Sequence, residues 1–480
     1  MPRPYLCKKA IKFWREKKLI KLNKTRASLR RGLSSFVLIT ATALSSLHTP
    51  VHQAQAVRLH SLNEAPRATD WPQVQGNPQR TGLSPETLGT NFKVIWTHPF
   101  QPEKIYPQVQ GIVSQGKVFI GTEMGNLYAL NAATGAQAWK FAAGSPILAS
   151  VAAVADKVMF GAMDGTVYAI DANTGAQAWK TQVSTRLGLS TSPVIADGKL
   201  MLGGRNGMFY AFDPANGNKL WEYRVGAPIL QTAAANNGRV YFGAMNMSVY
   251  ALNTANGTLA WKSQKVPQMA FKDYWPVVHQ GKVIIRPMGF GELIGANPSD
   301  AAQTTALAAY DANPGQAGPR TMFVLDEATG QELPAVIHMI ANTINGAPAP
   351  PCVDRDGNLI VAAPASTEAY KTGWGKLNLA TRKIASLLED GTAAGRGNQD
   401  ENMAVTCSQN LVLAMHNQEY NAQFNGAFNL DANRWTLIEP GRTNNQLSSN
   451  TQGGGANPAS IANGIVYHIS WHELIARSTQ

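Results

Sequence analysis

Four stretches of this 480-residue chain repeat one another: Tyr128-Ala129-Leu130-Asn131-Ala132-Ala133-Thr134-Gly135-Ala136-Gln137-Ala138-Trp139, then Tyr168 through Trp179, Tyr210 through Trp221 and Tyr250 through Trp261. The tryptophans step by 40, 42 and 40 residues. A unit this short cannot bury an apolar face by itself, so its copies must cover one another. Each copy reads as four short strands separated by turn signals. In the second they are 150–154, 158–162, 166–171 and 177–181. Between the last two strands, Asp171 can accept backbone N–H groups two or three residues on, and Gly175 supplies the positive φ that closes the turn. Asn131, Asp213 and Asn253, with Gly135, Gly217 and Gly257, repeat that chemistry.

Tandem four-stranded units of about 40 residues specify a β-propeller, in which ring closure protects every blade face. Later copies are eroded. Asp326-Glu327-Ala328-Thr329-Gly330 closes a fifth blade stretched by an insertion at 295–319, while Leu377–Ile384 and Phe428–Trp435 belong to a sixth and a seventh. Residues 460–477 offer only three strands, and 92–97 form an orphan strand bearing Trp96. Placing that strand outermost in the last blade closes an all-β, eight-bladed propeller of four-stranded antiparallel blades over 92–477. Trp96, Trp139, Trp179, Trp221 and Trp261 are then expected to pack blade on blade.

A net charge of +12 suggests an anionic partner until it is located. Residues 1–31 carry twelve basic side chains and one acid, whereas 57–480 carry 30 basic and 29 acidic groups. The basic run, an apolar core at 33–47 and Ala54-Gln55-Ala56 together describe a signal peptide over 1–56, cleaved after Ala56, and an entry segment over 57–91. A periplasmic or extracellular protein is expected. It would meet a membrane only through an uncleaved signal segment, and its near-neutral folded part gives no footprint for nucleic acid. Cys352 and Cys407 form one candidate disulfide in an oxidising compartment, either facing across neighbouring blades or pointing apart.

Ala169-Ile170-Asp171-Ala172-Asn173-Thr174-Gly175-Ala176-Gln177-Ala178-Trp179 resembles the Ala-x-Asp-x-x-Thr-Gly-x-x-x-Trp docking motif of the pyrroloquinoline-quinone (PQQ)-type propeller repeat family. Asp70-Trp71-Pro72 and Gly76-Asn77-Pro78-Gln79-Arg80-Thr81-Gly82 resemble the entry segment of such proteins. The resemblance implies one of two activities: quinoprotein dehydrogenation of an alcohol or sugar with PQQ and calcium in the funnel, or binding and assembly on the same ring. The chain has no adjacent Cys-Cys pair and no Cys-x-x-Cys-His haem site, so it resembles the binding members more. The expectation is therefore a binding or assembly module for an envelope protein or small ligand, with no cofactor. The dehydrogenase is the alternative, and a carbohydrate-binding surface module the second alternative.

Candidate ligand groups lie on links that enter inner strands, on one face of the ring. They are Arg396 and Asn398, with Asp400 and Glu401 as general base if the protein is an enzyme; Asn450 and Gln452; and Trp275 and Arg286. No metal site is expected. Asp354-Arg355-Asp356-Gly357-Asn358 reads as a hairpin turn, and His468 and His472 lack a third ligand.

Overall fold

The computed structural model describes residues 69–289, 299–314, 320–338, 348–364, 372–388, 404–415, 426–438, 457–470 and 472–479. The chain divides into Met1–Leu59 and His60–Gln480, and all described residues fall in the second unit. The signal peptide read at 1–56 lies outside them. Among the described residues no helix is long and apolar enough to cross a membrane.

Eight antiparallel sheets follow one another along the chain. Blade 1 comprises Ile112–Ser114, Lys117–Gly121, Asn126–Asn131 and Gln137–Ala142, and the next three blades repeat it. Each inner strand adjoins that of a neighbouring blade, and Ser460–Ala462 of blade 8 adjoins Ile112–Ser114 of blade 1, which makes the array a ring. Phe92–Pro99 pairs antiparallel with Glu473–Thr479 as the outermost strand of blade 8. Sequence and structure agree on this closure.

The repeated tryptophan works the same way around the ring. Its indole N–H donates to a carbonyl in the next blade's outer turn: Trp96 to Ala132, Trp139 to Ala172, Trp179 to Pro214, Trp221 to Thr254 and Trp261 to Glu327, at 2.9–3.1 Å. The ring lies flat on that turn's glycine. A Cβ on Gly135 would stand 2.6 Å from Trp96, and one on Gly175 2.7 Å from Trp139. Glycine is needed there both for its positive φ and for the close approach of the indole.

Two features depart from the plain reading. The insertion contains a helix, Asp300–Ala312, N-capped by Ser299 and burying Gln303, Leu307 and Tyr310. Buried positions at i, i+4 and i+7 are a helical pattern, overlooked in a sequence dominated by the two-residue period. The helix lies on blade 6, where the Gln303 side chain exchanges hydrogen bonds with the Ile384 backbone and Asp311 pairs with Arg382 at 2.7 Å. Blade 5 keeps three strands, Val277–His279, Lys282–Ile285 and Phe323–Asp326; its fourth is reduced to the single bridge between Leu325 and Glu332.

The entry segment closes the channel. Trp71 pairs with Val113 of blade 1 through two backbone bonds. Moving on, Pro72 O accepts from Ala153, the Gln73 amide oxygen from Ile195, Pro78 O from Ala235, Gln79 O from Val278, Thr81 O from Val353 and Gly82 O from Cys407. Finally the Glu86 carboxylate takes the N–H groups of Asn463 and Gly464. One short segment thus bonds the innermost strand or inner hairpin of every blade in order. At its centre Arg80 is fully buried and donates to the carbonyls of Val74, Pro193 and Ala233. Burial pulls its guanidinium down to about 9, still protonated at neutral pH.

Cys352 and Cys407 are joined across the inner strands of blades 6 and 7, with Cα atoms 6.0 Å apart. Closing a loop of this length is worth roughly 4 kcal/mol through restriction of the unfolded chain. The pair Cys352→Ser and Cys407→Ser, or reductant applied to the native chain, is expected to lower the melting temperature in differential scanning calorimetry; an unchanged melt would contradict this contribution.

On the link from Phe92–Pro99 into blade 1, the buried Glu103 carboxylate accepts from Thr122, Tyr128, Asn126 and Lys140 at 2.6–2.9 Å. Burial alone would raise its pKa, but the hydrogen bonds from Thr122, Tyr128, Lys140 and Asn126 outweigh that and hold it at about 2. A carboxyl whose pKa is depressed on folding stabilises the chain above its unfolded value and loses that contribution as pH falls through the folded one. The stability gap between the native chain and Glu103→Gln should therefore be full at neutral pH and shrink between roughly pH 5 and 2, as followed by acid titration of the fluorescence-detected unfolding transition.

Candidate functional site

Strand direction divides the ring into two faces. Hairpins within the inner pair and the Asn/Asp-Gly turns lie on one. The turns between second and third strands, and the links into each inner strand, lie on the other. On the link face, between blades 1 and 5, is a cavity of about 210 Å³. Each link contributes: Tyr106 and Gln108 enter blade 1, Leu148 and Ala149 blade 2, Ser190 and Ser192 blade 3, Leu230 and Thr232 blade 4, and Lys272 to Trp275 blade 5. Arg205 arrives from a turn of blade 3. The entry segment bonds the inner strands a few residues further toward the opposite face, so the cavity is blind.

A girdle of hydroxyls shapes this wall. Gln110 N donates to Ser150 Oγ at 2.8 Å, Ser150 N to Ser192 Oγ at 3.0 Å, and Ser192 N to Thr232 Oγ1 at 2.9 Å; Thr232 N continues to Tyr274 O at 2.9 Å. Every hydroxyl oxygen here accepts from the backbone of the preceding blade. The segment beyond Thr232 is strained. Asp273 and Tyr274 both have positive φ, at 60° and 49°, as does Gln108 at 74°. Such conformations cost about 1–3 kcal/mol each and persist only where neighbours enforce them. The enforcing bonds run from Asp273 N to Leu230 O and from Tyr274 N to the Gln108 side-chain oxygen.

The wall is rich in donors and poor in acceptors. Gln108 uses its oxygen on Tyr274, and Asp273 pairs with Lys272 at 3.5 Å. Among the described residues the Trp275 indole N–H has no acceptor although the residue is only 3% exposed, and the Arg205 guanidinium has no side-chain partner. Burial raises the Tyr106 phenol above its usual range, Asp273 raises it further and Arg205 opposes both, so it stays a protonated donor. Arg205 and Lys272 against Asp273 leave the wall with a net positive charge. Such a surface fits a ligand bearing an oxyanion. It does not fit calcium, which takes six to eight oxygen ligands; among the described residues no three His, Cys, Asp or Glu side chains are placed to hold a metal ion together.

Of the residues singled out from sequence, Trp275 lines the cavity. Arg286 is not among its lining residues: it is buried and ties blade 5 toward blade 6 by donating to Thr321 O, Thr321 Oγ1 and Ala349 O. Arg396, Asn398, Asp400, Glu401, Asn450 and Gln452 lie outside the described residues. Sequence reasoning missed Arg205, Gln108, Ser192 and Thr232. A signal existed: residues 150, 192 and 232 step by 42 and 40, in phase with the tryptophans.

Fold and cavity define a propeller with a blind, donor-lined funnel. The family whose model matches is described as outer membrane protein assembly factor BamB, over residues 90–233 and 163–317. Residues 90–317, a little under half of the chain, thus match a family model of PQQ-type propeller repeats. No curated protein matches the chain. Among solved structures, a quinohemoprotein alcohol dehydrogenase from Pseudomonas putida HK5 is 13% identical with a TM-score of 0.57, the match covering 86% of this chain and 80% of that one. A europium-containing methanol dehydrogenase is 10% identical with a TM-score of 0.59, covering 86% and 98%. BamB from Moraxella catarrhalis is 14% identical with a TM-score of 0.49, covering 81% and 100%. The likeness to the two dehydrogenases, at these identities, establishes a shared fold and nothing finer.

Removing one girdle hydroxyl tests the wall. Thr232→Val keeps the shape but leaves the Ser192 N–H unpaired, and should cost about 1–3 kcal/mol in urea unfolding. Thr232→Ser should be close to neutral.

Proposed function

We propose that this chain is an exported PQQ-like propeller acting as a binding or assembly module in the cell envelope, with its partner engaged at the funnel face. The observation that carries this reading is the blind, donor-lined cavity, which suits docking from one face and offers no calcium ligand set on its described wall. The disulfide supports maturation in an oxidising compartment, in keeping with export under the signal read at 1–56. A quinone-dependent dehydrogenase is the second reading, favoured by the unpartnered Trp275 indole in a funnel of this fold.

Titration of the purified chain with PQQ and calcium separates the two. The module reading expects no quinone absorbance and no thermal stabilisation at micromolar quinone, together with recovery of an envelope protein in a pull-down that is lost when 393–402 is replaced by Gly/Ser. Stoichiometric quinone binding with dye reduction by alcohols would overturn it.

A further inference from the structure

The funnel face carries more than the cavity. Seven large apolar side chains are conspicuously exposed among the described residues, and four of them, Val94, Ile95, Leu220 and Leu259, sit on outer strands. The other three, Met124, Leu187 and Met269, all belong to turns or links of the funnel face, in blades 1, 3 and 5. They are 59, 48 and 57% exposed. Methionine and leucine on an open face give a surface that adapts to an apolar partner.

This face carries charges of both signs: Glu103, Asp164 and Asp273 are bonded to Lys140, Tyr168 and Lys272, Glu123 lies beside Met124, and two arginines stand on the same face. Arg186, next to Leu187, is exposed, and neither its guanidinium nor that of Arg205 has an acidic partner among the described residues. Arg205 belongs to the cavity wall together with Ser192, Thr232 and Trp275, whose indole N–H has no acceptor among the described residues. Complementary charge fixes register and excludes wrong partners, while the apolar contacts supply burial.

We propose that the docking element of the partner is an acidic, aliphatic protein segment. One of its carboxylate side chains enters the cavity against Arg205, a second pairs with Arg186, and its aliphatic side chains cover Met124, Leu187 and Met269. This rests on the module reading above and adds to it the chemistry of the partner.

The test uses the full chain and two fluorescein-labelled peptides, one with aspartates interspersed among leucines and one with asparagine at each aspartate. Fluorescence anisotropy should show the acidic peptide binding at least about tenfold more tightly, a difference of about 1.4 kcal/mol. Raising salt should weaken it. Arg205→Gln and Arg186→Gln should each reduce affinity severalfold with an unchanged melting temperature; if Arg205→Gln fails to fold, exposed Leu187→Ser takes its place with the same expectation. Equal affinity for both peptides, no binding of either, or indifference to these substitutions would overturn the proposal. Should an envelope partner still be recovered when the peptides fail to discriminate, the module reading survives and the acidic-segment proposal falls. If the acidic peptide is selected but no envelope partner is recovered, the reverse holds.

Discussion

Everything in this molecule depends on how one blade sits on the next. A four-stranded sheet of such short strands leaves both faces to be covered, and the cover is always the neighbouring blade. The indole set flat on a glycine turn, with its N–H on the carbonyl beside it, gives that contact a fixed position as well as an apolar area. Because the position repeats, angular errors do not accumulate around the ring, and the last blade arrives where Phe92–Pro99 can complete it.

A ring held only at its rim would leave the inner strands with unpaired backbone groups facing the axis. The entry segment answers that need, and in doing so makes the two faces of the ring inequivalent. With the inner-strand N–H groups bonded on one side, the hydroxyl girdle and the strained Asp273-Tyr274 turn are free to build a cavity on the other. The floor is therefore a structural element, with Arg80 as its keystone, and binding chemistry is confined to the link face.

How much of this could be read from the sequence varied with the physics of each element. The blade count and the closing strand were legible because turn chemistry and a large aromatic recur at fixed spacing, and each has a single structural meaning. The helix Asp300–Ala312 was not, since its thirteen residues occur once and carry no repeat signal. The cavity was legible only in part. Trp275 stood out because it lies off the repeat position, whereas Ser192 and Thr232 are small hydroxyls whose importance comes from a neighbouring blade's backbone. Arg286 looked like a free cation in a link, but pairing with backbone carbonyls from another segment cannot be seen without the fold. Arg80 was quoted as part of a motif, yet nothing local announces that carbonyls from two distant segments, at Pro193 and Ala233, converge on it.

The closing pair of strands has a temporal consequence. Phe92 and Thr479 are register partners although nearly the whole propeller lies between them in sequence. A chain emerging amino-terminus first presents its hub segment and one outer strand long before their partners exist, and blades can be laid onto the hub in the order they appear. Blade 8 joins the two ends of the growing stack, and the pairing of Glu473–Thr479 with Phe92–Pro99 completes it. Quality control that samples exposed strand edges therefore sees an unpaired edge on Phe92–Pro99 until Glu473–Thr479 has arrived.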